Sequence, residues 1–269
     1  MILSTILASI FSIYPWNMSV TGYATSGQYS DEGSSFSQAG YISMDRRSKD
    51  GFVLAYEDLT IEKDGETYRQ FNWMGRDAFW IKPSLRFVGI VGHLESPSEN
   101  ESLIGSDDAW LAGGRIEGDL KWFGYSTGFI RSDYQIWFPW SLREDVWYNL
   151  LIDQFDLQLS RKIGPVVMRI GLTQEKIDDK NYTTNSMLVS GRFREKCTAS
   201  FSFSQGESLY AVDPYLLIIN NNAEILNQTM ALRGTYKVSP NFYISGVWTQ
   251  HKYVPFDIRY LSIGLTGRF

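Results

Sequence analysis

The chain has 269 residues, of which 43% are hydrophobic and 20% charged, and its formal net charge is -5. This hydrophobic content is too high for a disordered chain, and the mild acidity without a basic tract argues against a nucleic-acid partner. The single cysteine, Cys197, excludes a disulfide framework and a cysteine-rich metal site. Two histidines, His93 and His251, leave little room for zinc or a His-based triad. We therefore expect no cofactor and no enzymatic activity.

The first segment of the chain is apolar over residues 2–13, which is too short to span a bilayer as a helix. Its length matches the hydrophobic region of a signal peptide, although no basic residue precedes it. We predict a signal or N-terminal apolar segment over 1–15, followed by one domain over 16–269. The alternative for 1–15 is a buried first helix or strand.

From Trp16 onward, apolar and polar residues alternate with a period of two, which predicts β-strands. The pattern is clearest near the end, where Leu261, Ile263 and Leu265 lie on one face and polar residues or glycine on the other. These runs reach the roughly 9–11 residues that a tilted transmembrane strand needs. We predict fourteen strands, near residues 16–25, 35–46, 51–62, 67–79, 84–95, 108–119, 121–131, 152–162, 165–175, 184–195, 196–205, 226–237, 241–252 and 258–269.

The connections between these strands predict a membrane protein. Every second junction is tight and most of the others are long, with the turn at 63–66 as an exception. Outer-membrane barrels have short periplasmic turns and longer extracellular loops. The sequence therefore predicts an all-β protein: a closed antiparallel transmembrane β-barrel of about fourteen strands in the bacterial cell outer membrane. Its apolar face would contact lipid, and its interior would be polar and filled with water rather than packed with apolar side chains.

The last six residues, from Gly264 to Phe269, end in an aromatic residue preceded by apolar residues at alternate positions. This ending resembles the terminal signal of bacterial outer-membrane β-barrel proteins. In size and strand number the chain resembles the monomeric fourteen-stranded porins such as OmpG. The resemblance implies a single-chain barrel that is inserted by the barrel-assembly machinery and contains an open pore.

Charged residues recur on the face that would line the pore. Cationic side chains on a low-dielectric wall attract anions, which favours passive diffusion of small hydrophilic solutes with a preference for anions. The alternative is a structural network of Arg–carboxylate pairs, such as Arg115 with Glu117, that keeps the interior hydrated. A soluble sandwich that binds or cleaves carbohydrates is less favoured, because no convincing carboxylate pair lies on adjacent strands. The predicted pore-lining residues are Arg86, Arg115, Glu117, Asp156, Arg169, Glu175, Arg192, Arg194, Arg233 and Lys237.

Two long loops carry unusual side chains. The aromatic loop at 132–151 is a candidate for an inward constriction, for a docking site of an envelope partner protein, or for a hairpin packed outside the bilayer. The loop at 206–225 is apolar around 215–219 and is either an interaction surface or a plug. A plugged barrel that acts as a scaffold in an envelope complex is therefore the alternative function. The acidic loop at 96–107 is expected to be solvated rather than to bind a cation. The aromatic residues of the first loop are Trp137, Phe138, Trp140, Trp147 and Tyr148.

Overall fold

The structure, a computed structural model, is an antiparallel barrel of fourteen strands that is closed by pairing between the first and the last of them. The prediction of a closed fourteen-stranded β-barrel is confirmed. The described residues include no helix that is long and apolar enough to cross a membrane. The structure describes residues 17–46, 50–63, 65–96, 107–138, 146–219 and 224–269.

The barrel strands are long because inward and outward residues alternate along most of their length, with register irregularities in β4, β11 and β14. They range from 11 to 18 residues. A pair of two-residue strands, β12 and β13, forms a small hairpin in the connection between β11 and β14. The strands are β1 (Asn17–Tyr29), β2 (Ser34–Arg46), β3 (Asp50–Lys63), β4 (Glu66–Lys82), β5 (Leu85–Glu95), β6 (Asp107–Asp119), β7 (Gly124–Phe138), β8 (Val146–Ile163), β9 (Val166–Ile177), β10 (Lys180–Phe193), β11 (Cys197–Ser208), β12 (Val212–Asp213), β13 (Ile218–Ile219), β14 (Leu226–Ser239), β15 (Phe242–Tyr253) and β16 (Asp257–Arg268).

The seam that closes the barrel joins β1 to β16, in a register that runs from Ser19 opposite Arg268 to Tyr29 opposite Ile258. Closure removes both sheet edges, so that backbone N–H and C=O groups are paired where water is absent. On the inner side of the seam, the Thr25 hydroxyl donates to Ser262 at 2.9 Å. The hydroxyls of Thr21 and Thr266 are also 2.9 Å apart.

The two ends of the barrel differ. We call the end that carries the chain termini and the connections after β2, β4, β6, β8, β10 and β14 the short-turn end, and the other the loop end. Above the last residues at the short-turn end, where Arg161 faces outward, the outer face is largely apolar, with Leu232 53% and Ile263 59% exposed. Nearer the loop end it carries Trp73 and Trp110, whose ring centroids are 5.8 Å apart. This is the aromatic girdle that such barrels place at a membrane interface.

Above this girdle the outer face becomes charged. Arg69 donates to both carboxylate oxygens of Asp58, at 3.1 and 2.7 Å. Arg131 makes the same two-bond contact with Asp153, at 2.7 and 2.9 Å. Such pairs belong in water, so the loop end of the barrel projects beyond the apolar band.

The difference in length between the connections at the two ends is smaller than the sequence predicts. The β-ladders continue into the polar region above the apolar band, and β7 with β8 remain paired as far as Phe138 opposite Val146. By the strand bounds, the loop-end connections after β1, β3, β9 and β15 have four residues or fewer. Those after β5, β7 and β11 are the long ones.

Substituting Leu232 by Arg tests which face contacts lipid. Leu232 lies on the outer face of β14 between Met230 and Gly234, whereas its neighbour Ala231 points into the barrel. In lipid vesicles, Leu232→Arg is expected to lower the free energy of unfolding by about 2–4 kcal/mol, because the charge enters hydrocarbon. Ala231→Arg is the matched control and should change it by about 0.5 kcal/mol or less. Equal losses in urea unfolding would contradict this assignment of the faces.

Candidate functional site

The inner face of the barrel has two halves of different chemistry. Inward residues from β3 to β9 include many apolar side chains that are fully buried; we call them the apolar wall. Inward residues from β10 around to β1 include many Ser and Thr that stay partly accessible; we call these the hydroxyl wall. Near the loop end, the same strands carry Tyr29, Tyr253 and Ile258, which are buried in a cluster of their own. The apolar wall consists of Ala55, Met74, Ala78, Val88, Ile90, Leu94, Ala109, Leu111, Ile130, Tyr134, Ile152 and Ile177. The hydroxyl wall includes Thr21, Thr25, Ser186, Ser190, Ser200, Ser202, Ser204, Thr229, Thr235, Thr249, Ser262 and Thr266.

The prediction of an interior without apolar packing is wrong for the apolar wall. Residues 209–219, which we call the lumen segment, lie inside the barrel and cover it. Four of their side chains, those of Tyr210, Val212, Leu217 and Ile219, are buried in one cluster with the wall. Burial against these side chains removes apolar surface from water on both sides. The wall is therefore apolar because part of the chain itself packs on it.

The lumen segment has a defined local structure. Val212 pairs with Ile219 across the β12–β13 hairpin. An oxygen of the Asp213 carboxylate accepts the backbone N–H groups of Tyr215 at 2.8 Å and Leu216 at 2.9 Å, which closes the turn between the two short strands. Asp is favoured at such turns because its side chain bonds to backbone two residues later.

Two inward polar residues attach the segment to the barrel. Glu175 accepts the Ser208 hydroxyl at 2.9 Å and the Leu209 N–H at 2.7 Å. The Gln154 side chain donates to the carbonyl oxygen of Val212 and accepts its N–H, both at 2.9 Å. This amide therefore bonds Val212 as a neighbouring strand would, and it satisfies backbone groups that burial would otherwise leave unpaired.

The tip of the segment is held by two arginines. The Arg115 guanidinium donates to the Tyr215 hydroxyl at 2.6 Å and to the Ser126 hydroxyl at 2.8 Å. It also lies 4.0 Å from the Tyr215 ring centroid, and Arg169 lies 4.6 Å from it. Burial raises the pKa of Tyr215, so its hydroxyl remains protonated at neutral pH. We call Arg115, Arg169 and Ser126 the Tyr215 clamp.

The charged residues predicted to line the pore separate into groups. Arg86 is paired with Glu117 at 2.5 Å, and Asp156 accepts hydrogen bonds from Thr173 and Gln154. Lys237 lies on the inner face of β14 near the short-turn end. The residues around the lumen segment and its tip are Arg86, Arg115, Glu117, Asp156, Arg169 and Glu175. A cavity at the short-turn end is lined by Arg192, Arg194 and Arg233.

The aromatic loop at 132–151 is described only at its two ends. Trp137 and Phe138 finish β7, Trp147 and Tyr148 begin β8, and Trp137 is paired with Trp147 in the ladder. Trp140 lies outside the described residues, as does most of the acidic loop at 96–107. The constriction and partner-docking hypotheses for the aromatic loop stay predictions.

Two residues of this site, Gln154 and Ser126, were not identified from the sequence, whereas Tyr215 lies in the apolar run that was predicted to be an interaction surface or a plug. An isolated Gln or Ser on an inward-facing position has no sequence signature. The available signals were the apolar run at 215–219 and the departure from alternation on β5, where Val88 and Ile90 share a face with a charged residue. Together they indicate that an apolar loop covers an apolar patch of wall.

The sequence and the structure were compared with those of known proteins. No protein-family model matches the sequence, and no curated protein matches it. The CymD monoaromatic hydrocarbon channel has a similar structure, with a TM-score of 0.57 and 9% identity over 95% of this chain and 89% of that one. The outer membrane protein Omp33 of Acinetobacter baumannii is also similar, with a TM-score of 0.52 and 11% identity over 94% of this chain and 98% of that one. A FadL homologue of Pseudomonas aeruginosa has a TM-score of 0.54 and 7% identity over 94% of this chain and 89% of that one.

The chain has the fold of bacterial outer-membrane β-barrels. At these identities the likeness concerns the fold, and this fold is in accord with the apolar outer band and its aromatic girdle. The narrower resemblance to monomeric fourteen-stranded porins stays a prediction.

Substituting Gln154 by Ala tests how the lumen segment is held. The change leaves the Val212 N–H and C=O without their partner, which costs about 1–3 kcal/mol for a buried group. Deuterium exchange in residues 209–219 should therefore become faster by one or two orders of magnitude. Gln158→Ala is the control, because Gln158 lies on the same face and its buried Oε1 has no hydrogen-bond partner among the described residues. Unchanged exchange in Gln154→Ala would contradict the attachment.

Proposed function

We propose that the protein is a channel of the bacterial outer membrane through which small hydrophilic solutes diffuse passively, without chemistry and without a cofactor. The observation that carries this proposal is the hydroxyl wall, whose Ser and Thr side chains remain partly accessible inside the barrel while the apolar wall is covered. The solute pathway runs between the lumen segment and the hydroxyl wall.

The chemistry of this pathway suits water-soluble compounds. Hydroxyl groups both donate and accept hydrogen bonds, so they can replace part of the hydration that a solute loses in a narrow passage. A barrel of fourteen strands is too wide for its own side chains to fill. The lumen segment occupies one side of the barrel and narrows the passage. The cationic side chains of Arg192, Arg194 and Arg233, which line the cavity at the short-turn end, favour neutral and anionic solutes over cationic ones.

A second candidate is a channel for apolar solutes. The apolar wall favours it, and the similar CymD structure is that of a monoaromatic hydrocarbon channel. Transport along this wall requires the lumen segment to leave it, which would break its hydrogen bonds to Glu175 and Gln154 and its contacts in the Tyr215 clamp. A plugged barrel that serves as a scaffold for an envelope partner is the remaining alternative.

Planar-bilayer recording of the refolded protein tests the proposed function. The wild type should show single-channel steps, and Ser202→Trp should reduce their size severalfold, because Ser202 lies midway along the hydroxyl wall between Leu188 and Ala231 of the neighbouring strands. Phe201→Trp, one residue away on the outer face, is the control and should leave the steps unchanged.

Silence of the wild type would contradict the proposal and favour either the plugged scaffold or the channel for apolar solutes. Steps that Ser202→Trp leaves unchanged would show that ions do not follow the hydroxyl wall.

A further inference from the structure

The hydroxyl wall ends at the short-turn end in a cavity of about 760 Å³, which we call the vestibule. This volume lies within the range of small-molecule binding sites, roughly 300–1,000 Å³. Its lining comes from the ends of β8 and β10, the beginnings of β9 and β11, the second half of β14, and the turns that join β8 to β9 and β10 to β11. Four cationic residues, Lys162, Arg192, Arg194 and Arg233, line it together with a single carboxylate, Glu195.

The cations of the vestibule differ from other arginines of this chain. Arg69, Arg86 and Arg131 each contact a carboxylate at 2.7 Å or less. Within the described part of the chain, no vestibule cation has a carboxylate within ion-pair distance. Like charges gathered in one cavity repel each other and add nothing to the stability of the fold. Beside a low-dielectric wall they produce a strong field for anions.

The backbone of one turn supports the same interpretation. Arg194 has a φ of 58° in the tight connection between β10 and β11. This left-handed conformation favours Gly or Asn, and a long side chain there is unusual. The turn therefore does not select an arginine for its own stability. The position does keep a guanidinium at the rim of the vestibule.

We propose that the vestibule binds solutes that carry more than one oxyanion group, either carboxylate or phosphate. Guanidinium groups match the planar oxygens of these anions with two parallel hydrogen bonds. Hydroxyls of Ser190, Thr198, Ser200 and Thr235 line the same cavity and supply further donors. Such anions would be the solute class of the proposed channel. Their passage through the barrel rests on the proposed function, whereas their binding in the vestibule does not.

Isothermal titration calorimetry on the refolded full-length chain in detergent tests the inference, with citrate and inorganic pyrophosphate as separate probes. The wild type should bind at least one of them, more weakly as ionic strength rises. The double variant Arg192→Gln/Arg233→Gln should weaken binding by on the order of tenfold or more, because two charge-assisted contacts are lost. Arg161→Gln is the matched control: Arg161 neighbours Lys162 on β8 but faces outward, so binding should be unchanged.

The variant Arg192→Lys/Arg233→Lys keeps the charges without the guanidinium geometry and should retain part of the binding, which separates loss of the site from misfolding. Binding of only one probe assigns the site to carboxylates or to phosphates. Absence of binding of either probe to the wild type, or an equal loss in Arg161→Gln, would overturn the inference. If the protein binds a probe but shows no conductance, the vestibule proposal stands and the proposed channel function is wrong. If it conducts but binds neither probe, the channel function stands and the vestibule proposal is wrong.

Discussion

Pairing of every backbone N–H and C=O group inside lipid is the constraint on which the rest of the structure depends. Fourteen strands satisfy it only by closing on themselves, which here means pairing β1 with β16. The number of strands then sets a diameter that inward side chains cannot fill. The interior must therefore hold water, or another part of the chain, or both.

In this protein another part of the chain occupies one half of the interior. The lumen segment covers the apolar wall, and polar contacts from Glu175, Gln154 and Arg115 fix its position. Those contacts lie along one side of the segment. Most of the Ser and Thr side chains on the other half of the barrel have no contact with the lumen segment and remain partly accessible. The proposed solute path beside a fixed segment rests on this division more than on the size of the barrel.

The strands and the closed barrel are predictable from the sequence because the inward–outward period is local: most strands show it without reference to their neighbours. The lumen segment is not predictable in the same way. Gln154 and Val212 are 58 positions apart in the sequence, and only the folded barrel brings them together. Similarly, the pairing of Arg86 with Glu117 and the isolation of Arg233 depend on the strand register and on the position of the segment. The pattern of charges along one face of the sequence does not distinguish a paired arginine from an isolated one.

The most direct test of a barrel that is dry on one side and wet on the other is the reaction of single cysteines with a charged, water-soluble thiol reagent in lipid vesicles. The native Cys197 would first be replaced by Ser. We predict that Ser202→Cys reacts rapidly and that Leu111→Cys, at a position only 2% exposed in the cluster that the lumen segment covers, does not react. Rapid reaction at position 111 with protection at position 202 would contradict it.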